Sequence, residues 1–250
     1  MILELDVGNT RVKWRLLHPD LAIAARGVDD FDAWLAGSLP AAWDRDITRI
    51  RAASVVGSAL ETQLESAVGL ALGAPVEFAV ADAYNRGLRN AYAEPALLGV
   101  DRWLALLAAF NQFDPRESVL VADIGSALTI DLADEQGQHR GGYIIPGPLM
   151  MQRSLLRDTQ KVRFESTEAL ASTAFGENTA SCVAGGLVAA QAGSVLVALH
   201  AARDLIGGTP HLFITGGWAS VLGEALQALG VKKFCVAPDL VLDGLRWSLP

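Results

Sequence analysis

Short apolar runs alternate with longer amphipathic segments along this chain of 250 residues. Two pairs of apolar runs, each pair separated by a turn, predict antiparallel hairpins at 2–5 with 12–17 and at 119–123 with 128–132. Apolar residues at helical spacing predict helices near 58–72, 101–113, 149–156, 178–206 and 219–229. Further strands are predicted at 47–56, 76–80, 141–145, 211–215 and 233–236. Strands followed by helices, repeated once, indicate an α/β chain of two similar halves.

The division between the two halves is predicted at Pro115. The residue before a proline is pushed away from helical geometry, so the sequence Phe-Asp-Pro-Arg at 113–116 should end the preceding helix. We therefore expect one domain over residues 1–115 and a second domain over residues 116–250.

The turn of each predicted hairpin carries an aspartate, one apolar residue and a glycine. Residues 6–10 read Asp-Val-Gly-Asn-Thr, and residues 123–127 read Asp-Ile-Gly-Ser-Ala. A glycine lets a phosphate approach the main chain, and the loop N–H groups can donate to its oxygens. Such a turn alone is ordinary hairpin chemistry, but its repetition favours a duplicated nucleotide-binding unit. Asp6 is then a candidate for holding Mg²⁺, directly or through water. The candidate phosphate donors are Asn9, Thr10 and Ser126.

Two further groups of residues could serve a phosphate-binding site. Lys13 is either a solvated charge at a strand edge or a point charge beside a β- or γ-phosphate. Asp101 and Arg102 follow Gly99, where an aspartate also favours the start of a helix. The same carboxylate could take a proton from a substrate hydroxyl while the guanidinium holds an acidic group.

Composition weighs against several classes of protein. A formal net charge of −8 disfavours sequence-independent binding to nucleic acid. The two cysteines, Cys182 and Cys235, make neither a disulfide framework nor a zinc pattern. The first residues lack the features of a signal peptide. The apolar stretch 182–202 contains glycines and polar residues, which favours a buried helix at a subunit interface over a membrane span. We expect a cytoplasmic protein that binds neither nucleic acid nor membrane.

Taken together, these patterns resemble the type III pantothenate kinases, a family in the acetate and sugar kinase/Hsp70/actin superfamily. The matching segments are 6–13, 90–92, 99–102, 123–127, 142–148, 176–179, 215–217 and 237–245. The Gly-x-Asp-Arg element at 99–102 is specific to the family, whereas the two aspartate loops indicate only the superfamily. The resemblance implies an α/β fold of two similar ribonuclease-H-like (actin-like ATPase) domains with a nucleotide cleft between them.

The resemblance also implies a reaction: transfer of the ATP γ-phosphate to the primary hydroxyl of pantothenate, the first step of coenzyme A biosynthesis. It implies Asp101 as general base, Mg²⁺ bound with ATP, and Asp123 as a ligand of a monovalent cation, potassium or ammonium. It implies a homodimer in which Thr179 reaches pantothenate across the interface. The implied ATP-binding residues are Asp6, Val7, Gly8, Asn9, Thr10, Arg11, Val12, Lys13 and Ser126. The implied pantothenate-binding residues are Tyr92, Gly99, Val100, Asp101, Arg102 and Thr179.

One position departs from the family pattern, and two alternative functions stay open. Position 126 is Ser where the family usually has Thr, so the hydroxyl is kept and the methyl is lost. The first alternative is a kinase of the same superfamily with another small-molecule acceptor, which a substrate panel would identify. The second is a nucleotide-binding regulatory protein without transferase activity, which would bind ATP and a partner without turnover.

Overall fold

The computed structural model describes residues 1–9, 11–43, 46–158 and 173–250. Its contacts group the chain into two compact units, unit 1 (residues 1–108 with 239–250) and unit 2 (residues 109–238). The division predicted at Pro115 lies slightly further along the chain. The end of the chain belongs to unit 1 because it forms a helix that contacts the first and fourth strands.

The strands of the two units follow the predicted order along the chain, with three unpredicted strands in unit 1. They are β1 (Ile2–Val7), β2 (Arg11–Leu17), β3 (Ile23–Asp30), β4 (Arg49–Ser54), β5 (Val76–Phe78), β6 (Tyr84–Asn85), β7 (Leu88–Arg89), β8 (Val119–Ile124), β9 (Ala127–Ala133), β10 (His139–Pro146), β11 (His211–Thr215) and β12 (Cys235–Val236). The sequence patterns did not predict β3, because this edge strand has no fully buried position and so lacks a clear apolar alternation. The short antiparallel pair β6 and β7 was also not predicted from the sequence patterns.

The helices confirm the predicted positions, with differences at their ends. The α-helices among the described residues are α1 (Phe31–Leu35), α2 (Ser58–Leu64), α3 (Leu70–Leu72), α4 (Val100–Phe110), α5 (Pro148–Asp158), α6 (Thr179–Ile206), α7 (Ala219–Ala228) and α8 (Leu240–Ser248). A π-helical turn at Glu65–Gly69 joins α2 to α3 within the helix predicted over 58–72. Neither α1 nor α8 was predicted from the sequence.

The two sheets have the same topology, which confirms the two similar α/β halves. In unit 1 the strand order is β3-β2-β1-β4-β5, and in unit 2 it is β10-β9-β8-β11-β12. In each sheet the first three strands are antiparallel, and the last two run parallel to the central strand. The predicted hairpins are β1–β2 and β8–β9, so both aspartate loops follow the central strand of their sheet.

One hydrophobic cluster of unit 1 lies on one face of its sheet. Leu3, Leu5 and Val7 of β1 are fully buried there and pack with Phe31 and Trp34 of α1. Successive strand residues point to opposite faces, so the polar residues of β1 lie on the other side. The helix α8 contacts β1 and β4.

The core of unit 2 is formed by α6 and α7 against β8 and its neighbours. Asn178 caps α6: its Oδ1 accepts from the backbone N–H of Ser181 at 2.8 Å, and the Ser181 Oγ accepts from the N–H of Asn178 at 3.2 Å. By length and composition α6 could cross a membrane, and 44% of its most apolar window is buried. One such helix is weak evidence for a span, because a core helix meets the same criteria.

Candidate active site

The first phosphate-loop candidate is the turn between β1 and β2. The backbone N–H of Gly8 donates to the carbonyl oxygen of Arg11 at 3.0 Å, which closes the turn. Asn9 and Arg11 are exposed beside it, and Thr10 lies outside the described residues. The side chains of Val7 and Val12 are fully buried in the core. These two residues can therefore offer a nucleotide only their backbone groups.

Two of the predicted site residues, Asp6 and Lys13, lie on the polar face of the hairpin. The two residues are directly opposite each other in the antiparallel register of β1 and β2. The Lys13 ammonium lies 3.2 Å from the carboxylate of Asp239, the residue that precedes α8. Sequence analysis included Asp239 in the matching segment 237–245 but assigned it no role.

A buried charged cluster continues this face away from the loop. Arg15 Nε donates to Glu4 Oε2 at 2.5 Å, and Arg15 Nη1 donates to Asp243 Oδ1 at 2.6 Å. Arg51 Nη1 lies 3.4 Å from Glu4 Oε1. Burial raises the pKa of Glu4 above its ordinary value, although both arginines act in the opposite direction. Burial also disfavours the charged form of Arg15, but Glu4 and Asp243 together outweigh it and raise the pKa of Arg15.

The Gly-x-Asp-Arg element forms the start of α4. The backbone N–H of Arg102 donates to Asp101 Oδ1 at 2.8 Å. A Cβ at Gly99 would lie 2.6 Å from the same carboxylate oxygen, so a larger residue would displace it. The buried Arg102 donates from Nη1 to the hydroxyl of Tyr92 at 3.1 Å. The structure therefore brings together four of the predicted substrate-binding residues, while Val100 is buried and offers mainly its backbone.

The loop that carries Tyr92 is organised by Asn90, a residue to which sequence analysis gave no function. Asn90 is buried, and its Nδ2 donates to the carbonyl oxygens of Asp82 at 3.2 Å and Pro95 at 3.3 Å. Its Oδ1 accepts from the backbone N–H of Tyr92 at 2.9 Å. The only sequence signal was its place in the matching segment 90–92, since a buried amide has no local pattern of its own.

The second loop candidate is the turn between β8 and β9 in unit 2. The backbone N–H of Gly125 donates to the carbonyl oxygen of Ala127 at 2.8 Å, and Ser126 is exposed at the tip. Gly216 has φ +93°, and a Cβ there would lie 2.4 Å from both Asp123 Oδ1 and the carbonyl oxygen of Ile124. Only glycine fits this position, both by conformation and by space.

Oxygen atoms of the kind that hard cations prefer lie beside these loops. The Asp123 carboxylate and the Ile124 carbonyl converge on one glycine, and oxygen ligands are those that hard cations prefer. Among the described residues, no group of three or more His, Cys, Asp or Glu could hold a metal ion. Mg²⁺ in phosphoryl-transfer sites commonly uses only one or two carboxylates together with phosphates and water. Asp6 can provide one such carboxylate.

Thr179, predicted to reach substrate across a dimer interface, is the exposed first residue of α6 in unit 2. It borders an open groove between α5 and α6 that is also lined by Met150, Leu155 and Leu187. The structure thus places Thr179 on an accessible, partly apolar surface.

Comparison with solved structures defines the class of protein first. A protein of Campylobacter jejuni assigned to the Baf family of transcriptional activators matches with a TM-score of 0.60 at 20% identity, over 98% of this chain and 95% of that chain. A ROK family glucokinase from Streptomyces griseus, solved with glucose and AMPPNP, matches with a TM-score of 0.53 at 12% identity, over 98% and 97% of the two chains. The chain has the α/β fold of actin-like ATPases and ROK-family sugar kinases.

Comparison at the level of sequence then defines the family. The family model for type III pantothenate kinase matches residues 2–201. A type III pantothenate kinase of Marinobacter nauticus is 38% identical over 98% of this chain and 97% of the relative. One from Pseudomonas fluorescens is 36% identical over 100% of this chain and 99% of the relative. The chain belongs to the type III pantothenate kinase family.

Proposed function

We propose that this chain transfers the γ-phosphate of ATP to the primary hydroxyl of pantothenate, which gives 4'-phosphopantothenate and begins coenzyme A biosynthesis. The observation that carries the proposal is the arrangement at the start of α4, where Asp101 and Arg102 adjoin Tyr92. This arrangement lies in a chain that matches the pantothenate kinase family along most of its length. A carboxylate beside an arginine suits an acceptor that carries both a hydroxyl and an acidic group.

In this proposal Asp101 is the general base. It takes the proton from the pantothenate hydroxyl as that oxygen bonds to the γ-phosphorus and the bond to ADP breaks. Arg102 donates to the pantothenate carboxylate, and its bond to the Tyr92 hydroxyl orients the guanidinium. Gly99 leaves room for the Asp101 carboxylate beside the chain, and the buried Val100 contributes its backbone.

The ATP phosphates bind the two loops. The backbone of residues 7–12 and the Lys13 ammonium contact phosphate oxygens on one loop, and the Ser126 hydroxyl donates on the other. Mg²⁺, held by Asp6 directly or through water, supplies neutralisation of the charge that develops on the transferred phosphoryl group. Asp123 binds potassium or ammonium, a role supported by the nearby carbonyl oxygen of Ile124.

The proposed protein is a cytoplasmic homodimer whose partner chain supplies Thr179 to the pantothenate site. Support for a subunit contact comes from α6, where Val197 is 62% exposed and Leu205 is 51% exposed. Exposed apolar side chains on one helix favour a contact with another protein surface. A clean monomer in size-exclusion chromatography at assay concentration would remove Thr179 from the site.

The deciding experiment is ADP formation by wild-type protein and Asp101→Asn with ATP, Mg²⁺ and pantothenate, in potassium or in sodium. We expect pantothenate-dependent turnover that is faster in potassium, and a loss of about 10²- to 10⁴-fold in Asp101→Asn. Asp114→Asn, an exposed aspartate at a chain turn, is the matched control and should keep full turnover.

The same assay separates the alternatives. Near-full activity in Asp101→Asn would mean that another group is the base. Turnover with a different acceptor would identify another kinase of the superfamily. ATP binding without turnover on any acceptor would favour a regulatory protein.

A further inference from the structure

The segment 237–245 is one of those that carry the resemblance to the family, yet the proposed reaction gives it no task. The structure places two of its acidic residues against the strand that carries Lys13. Asp239 pairs with Lys13 at 3.2 Å, and Asp243 pairs with Arg15 at 2.6 Å. Residues four apart on a helix are separated by about 6 Å along its axis. Residues two apart on a strand are separated by about 6.8 Å, so the two spacings match and both pairs form together.

The Lys13–Asp239 pair is shielded from solvent but still accessible to a ligand. The Lys13 side chain is 28% exposed and the Asp239 side chain 13% exposed. Partial burial strengthens the attraction between the two charges relative to a fully exposed pair. An ammonium carries three N–H donors, so an ion pair with Asp239 and a contact with a phosphate oxygen are compatible.

Rigid contacts fix the position from which Asp239 acts. A Cβ at Gly244 would lie 2.3 Å from the carbonyl oxygen of Leu104, so α8 approaches the backbone of α4 more closely than any other residue would permit. The partly buried pair between Asp243 and Arg15 holds the same helix to β2. The beginning of α8 therefore has little freedom relative to the turn after β1.

We propose that Asp239 is a positioning residue that holds the Lys13 ammonium where the ATP phosphates bind. The inference rests on the proposed function only in that Lys13 contacts ATP. A flexible lysine side chain loses rotamer freedom when it binds the nucleotide, and this loss lowers the affinity. The ion pair with Asp239 restricts the Lys13 side chain before ATP binds, so less entropy is lost on binding. A purely structural pair would instead change stability without changing nucleotide affinity.

The test is the dissociation constant of Mg²⁺-ATP, measured by calorimetry without pantothenate. We expect Asp239→Ala to bind ATP about tenfold more weakly, because a charge-assisted contact that orients Lys13 is lost. Asp239→Asn keeps an acceptor and should recover part of the affinity. Asp32→Asn, an exposed aspartate in the first turn of α1, is the matched control and should bind like the wild type. With turnover present, the KM for pantothenate should change less than twofold in Asp239→Ala.

A double-mutant cycle with Lys13→Met separates positioning from a general structural effect. If Asp239 acts through Lys13, Asp239→Ala should cause no further loss of ATP affinity in the Lys13→Met background. An equal loss in both backgrounds, or an unchanged affinity in Asp239→Ala alone, would overturn the inference. A wild type that binds ATP but shows no pantothenate-dependent ADP formation would refute the proposed function. The double-mutant cycle on ATP affinity would still test the role of Asp239. A wild type that binds no ATP would overturn both.

Discussion

The turn after β1 and the turn after β8 follow the central strands of two sheets with the same topology, but different interactions surround them. Two residues before the loop aspartate, unit 1 has the buried Glu4 and unit 2 has Val121. The residue paired with Glu4 on β2 is Arg15, and the residue paired with Val121 on β9 is Asp131. The first loop is thus backed by a buried charged cluster, for which the second has no equivalent at these positions.

The second loop is instead defined by close approach of the backbone. Gly216 lies against the Asp123 carboxylate, and a Cβ at Gly147 would lie 2.4 Å from the carbonyl oxygen of Gly125. The acid that does occur on β9, Asp131, is buried and pairs with His139 at 3.0 Å. The comparison teaches that one topology can position a loop after its central strand through paired charges or through glycine packing. We therefore expect that different substitutions disrupt the two loops.

The largest effect is expected from Arg15→Met, which breaks the charged cluster of unit 1. Removing one partner leaves Glu4 buried with less compensation, which should lower the free energy of unfolding by about 3–5 kcal/mol. Arg26→Met is the control, because Arg26 pairs with Arg15 in register, its side chain is 66% exposed, and its contact with Asp239 is a long and exposed one of 3.5 Å. It should cost less than about 0.5 kcal/mol in the same urea titration. Similar losses for both variants would show that the cluster adds nothing specific.

A smaller effect is expected from Gly216→Ala in unit 2. An alanine at φ +93°, with its Cβ 2.4 Å from Asp123 Oδ1, should cost about 1–3 kcal/mol of stability. It should also remove the difference between turnover in potassium and in sodium, because the Asp123 carboxylate must move. Gly208→Ala, at an exposed position of unit 2 with open space around its Cβ, should keep both properties. Retained potassium dependence in Gly216→Ala would argue against the cation role of Asp123.

The smallest effect is expected at the surface pair between Arg49 and Glu77, which contrasts with the buried cluster on the same sheet. Two hydrogen bonds of 2.6 and 2.7 Å join them, and they lower the pKa of Glu77 below its ordinary value of 4.5. The pair therefore stabilises the fold above pH 4.5, and this contribution is lost as the pH falls through the lowered pKa. The raised pKa of Glu4 has the opposite effect on the pH dependence of stability. The contribution of Glu4 to the stability of the fold decreases as the pH rises above 4.5.

The substitution Arg49→Met tests how the contribution of this ion pair to stability changes with pH. It should cost up to about 1 kcal/mol at pH 7, because exposed pairs contribute little. The difference from wild type should shrink when unfolding is measured well below the ordinary pKa of Glu77. A difference that stays constant with pH would instead indicate the loss of other contacts of Arg49, namely its bond to the backbone oxygen of Pro250 at 2.7 Å or the packing of its stem.

Local patterns were sufficient for the elements whose chemistry is contained in a few neighbouring residues. The two aspartate–glycine turns and the start of α4 near Asp101 are both confirmed as local structure. In each case the apolar period and the turn or cap residues lie within one short segment, so they can be read without knowledge of the fold. The roles of these residues in binding and catalysis stay predictions.

Long-range partners needed the folded chain. Arg15 and Asp243 are 228 positions apart, and no local sequence pattern predicts such a pair. The helix α8 was missed because Gly244 in its interior lowers helix propensity by about 1 kcal/mol relative to alanine. That glycine is explained only by the backbone of Leu104 beside it. Propensity and periodicity describe how a segment buries its own apolar face, whereas the partner of a buried charge depends on which distant segment the topology brings to it.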